Sequence, residues 1–266
     1  MLLSHNRDNN IYFRYVYQNF FLVMNKIGPD TNWNEIDFDK LFLPNLSVDT
    51  VILGFHEGQL MVLLLQYKNT NAYALPGGLI LKEESADEAA YRTLYSRTGL
   101  SDIYLEQFKI FSDKDRSNPS FFKSILKARG VKNLKNHFLL NRFVSIAYYA
   151  LVDFTKAVPA ADGLSDQCRW YDLKDLPPLI QDHAEIIQTA LLSLRENLDK
   201  KLVGFNLLPE LFTMGELQML YETILNETFL RTSFQRKMLS LRILEKVDKK
   251  WTGAAHKAPF LYKFIK

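Results

Sequence analysis

The sequence is short of several things, and each shortage excludes something. It has one cysteine, Cys168, so no internal disulfide can form and nothing points to an oxidising compartment. No uninterrupted apolar run approaches the ~20 residues of a membrane-crossing helix, so no membrane partner is expected. The opening stretch, MLLSHNRDNNIYFRYVYQNFFLV, carries Arg7, Asp8 and Arg14 early. That order does not suit a basic start, an apolar middle and a small-residue cleavage site. It reads as a peripheral strand, or as residues ahead of a start at Met24. Acids are missing from two places: Arg116 to Arg142 has seven basic residues and no acid, and Thr228 to Lys266 has ten against two. These segments hold +7 and +8, so a chain whose formal net charge is +3 carries −12 elsewhere. Two basic segments on an acidic body suit contact with a polyanion, or two solvated faces.

What is there has the make-up of a globular protein. The 266 residues are 47% hydrophobic and 24% charged, enough for one large domain or a medium and a small one. Residues 46–66, LSVDTVILGFHEGQLMVLLLQ, predict a hairpin turning at His56-Glu57-Gly58, its strands covered on both faces. AYALPGG predicts a strand ending at Pro76-Gly77-Gly78, in a turn with unusual backbone angles. Ser85, with Glu88 three residues on, opens a helix as a capping box, and Gly99 closes it. Strands are expected over 103–111 and 143–154. Between them, 117–141 is too long for a hairpin loop. It reads as an insertion with a short basic helix around Phe122, Ile125 and Leu126, either a flexible solvated loop or a supplementary DNA or dimer contact. CRWYDLKDLPPLI gives a further strand, and 182–198 an amphipathic helix. After an N-terminal extension over 1–45, residues 46–198 thus predict an α/β fold, an α/β/α sandwich with a mixed sheet.

A boundary is expected near Leu198 to Gly204. Beyond it, Thr213 and Glu216 form a second capping box, and Leu217, Leu220, Tyr221, Ile224 and Leu225 a one-sided helical stripe. Thr232 and Gln235 are expected to cap a further helix, running Ser233 to Leu241 with Phe234, Met238 and Leu241 inward. ILEKV and FLYKF, around the basic tip KKWTGAAHKA, add two strands. This is a winged helix-turn-helix plan over 204–266.

The segment from Gly78 to Leu100 resembles the Nudix box, G-x5-E-x7-R-E-U-x-E-E-x-G-U with U a bulky aliphatic. Gly78, Glu84, Arg92, Leu94, Gly99 and Leu100 stand at the required spacing. Thr93, Ser96 and Arg97 stand where the pattern has glutamates. In Nudix hydrolases those acids hold a divalent metal, usually Mg²⁺, against a diphosphate. The resemblance implies a Nudix-like fold, and the departures imply a chain with no catalytic residue, metal or cofactor. A guanidinium at Arg97 would repel a dication by more than ~4 kcal/mol at 4 Å and an effective dielectric near 20. Gly78, Glu84, Arg92 and Gly99 would then be a structural remnant, Arg92 tying the loop to carbonyls or to Glu84. The alternative is a hydrolase acting on a nucleoside diphosphate compound such as ADP-ribose.

The C-terminal segments GFNLLPELFTMGELQMLYETIL, FLRTSFQRKMLSLRILEKV and LYKF, with VSIAYYALVDF and LPPLIQDHAEII upstream, resemble Nudix-related transcriptional regulators of the NrtR and AraR types. That resemblance implies a cytoplasmic homodimer in which the Nudix-like domain senses a small molecule and the winged helix binds operator DNA. The effector would be a pentose-like sugar or an ADP-ribose-like nucleotide sugar. By position, Arg231, Ser233, Gln235, Arg236 and Lys237 would meet bases and phosphates in the major groove. Lys249, Lys250, His256 and Lys257 on the wing would lie against phosphates. Asp115 and Arg116, just after a strand, and Asp182 and His183, opening a helix, are the candidate ligand-binding residues.

Overall fold

The computed structural model describes residues 32, 34–101, 103–198, 207–250 and 258–265. Its organising element is one hairpin. Glu57 and Gly58 take φ of 48° and 80°, the two-residue turn whose twist suits a hairpin. They join β1 (Phe42–His56) to β2 (Gln59–Tyr67), with Leu53 opposite Val62. A helical turn, α1 (Phe38–Leu41), leads into β1. Along its length β1 also pairs in parallel with β6 (Val144–Val152), from Leu46 opposite Val144 to Gly54 opposite Val152. The sheet is therefore mixed. The order is β3-β2-β1-β6-β5, where β3 is Tyr73–Ala74 and β5 is Tyr104–Phe111. The strand β4 (Gly77–Leu81) pairs with β1, and β7 (Ser165–Asp172) pairs with β2.

Alternation along the hairpin sorts its side chains between two helices. Ile52 and Leu63 pack with Leu94 of α2 (Ala86–Thr98). Val51, Leu53, Val62 and Leu64 share a core with Ile186, Ile187, Ala190 and Leu194 of α4 (His183–Asn197). Both faces of the sheet are covered, which is why the strands read as continuous apolar runs. The result is the α/β/α sandwich with a mixed sheet that the sequence predicts. Helix α2 starts at the expected capping box, Ser85 Oγ accepting from Glu88 N at 3.2 Å and Glu88 Oε2 from Ser85 N at 2.7 Å. It ends at Gly99, in the left-handed region at φ 69°.

Two expectations are corrected. Pro76-Gly77-Gly78 is not a turn of unusual backbone angles: Gly77 and Gly78 open β4, and neither has positive φ. Close approach excludes larger residues instead. A Cβ on Gly77 would lie 2.6 Å from Asp49 Oδ1, and one on Gly78 2.8 Å from Thr93 Oγ1. Nor is the 117–141 insertion a loose loop. It contains α3 (Pro119–Ala128) and a 3₁₀ turn (Phe138–Leu140). Leu126, Val131 and Phe138 form a second core with Phe38, Phe42 and Leu81. Asn34 clamps the junction, donating to Gly130 O at 3.2 Å and accepting from Lys132 N at 3.0 Å.

The C-terminal part holds β8 (Phe212–Thr213), α5 (Met214–Leu225), α6 (Arg231–Ser240), β9 (Leu244–Lys249) and β10 (Phe260–Phe264), the strands ordered β8-β10-β9. Thr213 and Glu216 form the expected capping box, and Leu217, Leu220, Tyr221 and Ile224 are buried. The start of α6 differs from expectation. Leu230 is at the N-cap and makes no side-chain hydrogen bond, and Thr232 and Gln235 lie inside the helix. Phe229 packs on Phe234 at 5.7 Å, fixing the entry as a hydrophobic staple. Leu241 is not core: it is 40% exposed, and the chain turns away at Arg242, φ 56°. The two parts meet where Thr223 Oγ1 donates to Gly58 O at 3.0 Å and Arg195 Nε to Ile224 O at 2.7 Å. His256 and Lys257, most of the tip and the 199–206 boundary lie outside the described residues, as does the opening stretch. Among the described residues, no helix is long and apolar enough to cross a membrane.

Candidate functional site

The Nudix-box frame is held by one buried ion pair. Arg92 donates from Nε to Glu84 Oε2 at 3.0 Å, and from Nη2 to Glu84 Oε1 at 2.5 Å and to Leu79 O at 2.8 Å. Glu84 Oε1 also accepts from Leu81 N at 2.8 Å, so both carboxylate oxygens are taken. On α2, Ser96 Oγ donates back to Thr93 O at 2.7 Å, and Thr93 Oγ1 is buried without a partner. Arg97 is not the bare cation expected from the sequence. Its Nη2 lies 3.2 Å from Asp162 Oδ2, and the pair offsets much of the repulsion a dication would meet. What counts against Mg²⁺ is the donor set. Hydroxyls and a guanidinium occupy the positions of carboxylates, and the remaining glutamate is committed to Arg92. Among the described residues no three His, Cys, Asp or Glu side chains converge to hold a metal ion. These residues do not fit a divalent metal.

Beside the frame lies a cavity of about 170 Å³, with Gly77 and Gly78 in one wall. Its floor is polar. Arg116 donates to Asp182 twice, Nε to Oδ2 at 2.7 Å and Nη2 to Oδ1 at 2.9 Å, and from Nη1 to Phe143 O at 2.8 Å. Its Nη2 is also 3.6 Å from Asp49 Oδ2, which accepts from Ser145 Oγ at 2.5 Å. Burial pulls Arg116 towards losing its proton, but the two carboxylates outweigh it and the group is held above its ordinary value. His183 Nδ1 accepts from Leu75 N at 2.9 Å, which places the proton of the neutral ring on Nε2. Burial keeps that ring neutral and lowers its pKa, despite Asp49 and Asp182 nearby. Tyr67, in the wall, is held as the neutral phenol by burial, with the charges of Asp162 and Asp49 adding.

The structure brings some of the sequence-selected ligand residues together and not others. Arg116 and His183 line the cavity. Asp182 stands behind Arg116 as its bidentate partner and makes no capping bond to α4. Asp115 points to solvent, its side chain 83% exposed, with Lys114 4.0 Å away. Sequence reasoning missed Asp49, Tyr67 and Phe122. The signal for Asp49 was present: it is the one charge inside the apolar run LSVDTVILGF. Tyr67 and Phe122 gave none, since aromatic residues at such spacing read as core.

The second candidate surface is α6. Its buried face is Phe234 and Met238, and Tyr221 packs edge-on to Phe234 at 5.4 Å. Arg231, Ser233, Arg236 and Lys237 are exposed on the other side, and Gln235 is half-buried. No acid stands in the first turn. On the wing, Lys250 Nζ lies 2.9 Å from Glu216 Oε1, tying β9 to the capping box of α5. Lys249 is 5.8 Å from the Phe260 ring centre, and Lys246 only 3.3 Å.

Comparison with known proteins agrees with this division of labour. Residues 43–190 match the NUDIX domain family, and residues 204–264 the NrtR DNA-binding winged helix domain. An ADPR responsive transcriptional repressor NtrR of Acinetobacter baylyi is 29% identical, over 83% of this chain and 82% of its own length. The crystal structure of Shewanella oneidensis NrtR is 27% identical with a TM-score of 0.64, over 83% of this chain and 94% of that one. The same protein complexed with a 27mer DNA gives 25% identity and a TM-score of 0.64, over 83% and 93%. The chain belongs to the Nudix family, in its NrtR-type form: a Nudix domain followed by a C-terminal winged helix DNA-binding domain.

Proposed function

We propose that this chain is a ligand-responsive transcriptional regulator, acting in the cytoplasm as a homodimer. Residues 46–198 sense a sugar-bearing effector and residues 204–266 bind operator DNA. The effector is ADP-ribose-like in the broad sense, either a nucleotide sugar or the pentose-like sugar part alone. The observation that carries the reading is the pairing of two features in one chain. An exposed basic face on α6 stands in a winged-helix frame, and a closed polar cavity lies beside a Nudix box whose metal-binding positions are Thr93, Ser96 and Arg97. Arg231, Ser233, Gln235, Arg236 and Lys237 read the groove, and Lys249, Lys250, His256 and Lys257 contact phosphates. The relative from Acinetobacter baylyi, described as an ADPR responsive repressor, supports the same assignment.

Hydrolysis is the weaker reading, because Glu84 has no free oxygen for a metal. A gel shift against the chain's own upstream DNA, with and without pentoses and ADP-ribose, tests the regulator. Bound DNA whose affinity changes with one of these compounds is the expected result. Turnover of ADP-ribose with Mg²⁺ or Mn²⁺ that vanishes in Glu84→Gln would make the chain an enzyme.

A further inference from the structure

We infer that the segment from Ser117 to Phe143 is the selecting wall of the effector pocket, and that it admits a neutral, hydroxyl-rich ring of about monosaccharide size. The inference rests on the regulator reading and narrows it.

The first observation is size. A single six-carbon ring fills an apolar cavity of about 150 Å³, whereas drug-sized ligands occupy roughly 300–1,000 Å³. The cavity here is about 170 Å³. What limits it is the insertion: Ser117, Phe122, Leu139, Asn141 and Phe143 all line it. That wall is fixed from behind by the second core, where Phe38 stacks on Phe138 at 5.7 Å and 18°. On the cavity side, Tyr67 meets Phe121 at 5.5 Å and Phe122 at 6.4 Å. A wall packed on both sides does not open to a dinucleotide without breaking that packing.

The second observation is charge. Arg116 is the one cation among the lining residues, and its guanidinium is committed to Asp182, Phe143 O and Asp49. With Asp49 and Asp182 against Arg116, and a neutral His183, the floor carries a surplus negative charge. A diphosphate would meet that surplus with no free cation in reach.

The third is hydrogen-bond chemistry. Asp49 Oδ1 and His183 Nε2 are 3.9 Å apart, too far to bond to each other. A ligand oxygen about 2.8 Å from each would bridge them, accepting from Nε2–H and donating to the carboxylate. A hydroxyl can do both. An ionised phosphate oxygen only accepts, and would stand against the carboxylate.

The test uses the full chain and two readouts. Isothermal titration calorimetry with a panel of neutral pentoses and hexoses, and with ADP-ribose, measures selection, and fluorescence anisotropy on upstream DNA measures the regulator on the same sample. At least one neutral monosaccharide is expected to bind, and Phe122→Trp, which fills the cavity from its wall, to weaken it by about tenfold or more. Leu139→Trp repeats the test from the other part of the insertion, and unliganded melting temperatures show whether each variant folds. Binding of ADP-ribose with no neutral monosaccharide bound would overturn the inference. So would no binding at all, or monosaccharide affinity indifferent to both variants. Failure to bind DNA, by contrast, sinks the regulator reading and leaves the calorimetry to decide selection.

Discussion

At the scale of single residues, the box keeps its shape through charges that satisfy each other. Glu84 has a side chain with no exposure, and Arg92 is nearly as buried. Removing one member of such a pair strands the other. Arg92→Ala is expected to destabilise the fold by about 3–5 kcal/mol, read as a lowered urea midpoint. His183 makes a different prediction, one of pH. Its folded pKa is below the unfolded 6.5 because burial disfavours the imidazolium. The unfolded chain therefore binds the extra proton first as the pH falls. Stability is complete above about 6.5 and drops below it, by about 1.4 kcal/mol per unit, until the folded value is passed. His137 is also lowered by burial and adds the same sign. His183→Gln should flatten part of the slope between pH 6.5 and 5, measured by denaturant melts. A slope unchanged in that variant would mean that His183 does not carry it.

At the scale of elements, α6 is the part whose chemistry is most exposed. Arg231→Ala with Arg236→Ala should weaken operator binding and lower the slope of log affinity against log salt by about one for each phosphate no longer neutralised. Phe234 and Met238 hold the helix from behind, so melting should be little changed. How far such elements were legible depends on whether their signals are local. The capping boxes at Ser85 and Thr213, the turn at Glu57-Gly58 and the C-cap at Gly99 are written within a few residues, and each forms as read. Thr232 and Gln235 have the right spacing for a box, yet the aromatic pair Phe229 and Phe234 sets the helix start one residue earlier. Gly77 and Gly78 read as a turn because their close neighbours, Asp49 and Thr93, are distant in sequence. The insertion was least legible. Phe38 and Phe138 are a hundred residues apart, and no periodicity within 117–141 announces that its apolar side will fold onto the start of the chain. The same distance hid half of the pocket. Arg116 and His183 sit at element ends where ligand residues are sought, while Asp49 lies mid-strand, distinguished only by its charge.

At the scale of the whole molecule, two rods run from the pocket to one turn of α5. One is β1, which holds Asp49 at the cavity and reaches the hairpin turn, where Gly58 O accepts from Thr223 Oγ1. The other is α4, which begins at His183 and ends near Arg195, whose Nε donates to Ile224 O. Thr223 and Ile224 are neighbours in the last turn of α5, and α5 packs on α6 through Tyr221 and Phe234. A ligand that bridges Asp49 and His183 pulls on the starting points of both rods at once. Allosteric coupling of this kind is typically about 1–3 kcal/mol, and one hydrogen bond contributes about 1 kcal/mol. Thr223→Val removes the bond to Gly58 at nearly constant shape, and Arg195→Met removes the other while keeping an apolar stem. The double variant should bind DNA without ligand about as the parent does, because neither residue lies on the exposed face of α6. Its response to ligand should shrink by about fivefold or more, measured as the ratio of DNA affinities with and without effector in anisotropy titrations. A response of full size in that variant would show that the signal bypasses this turn.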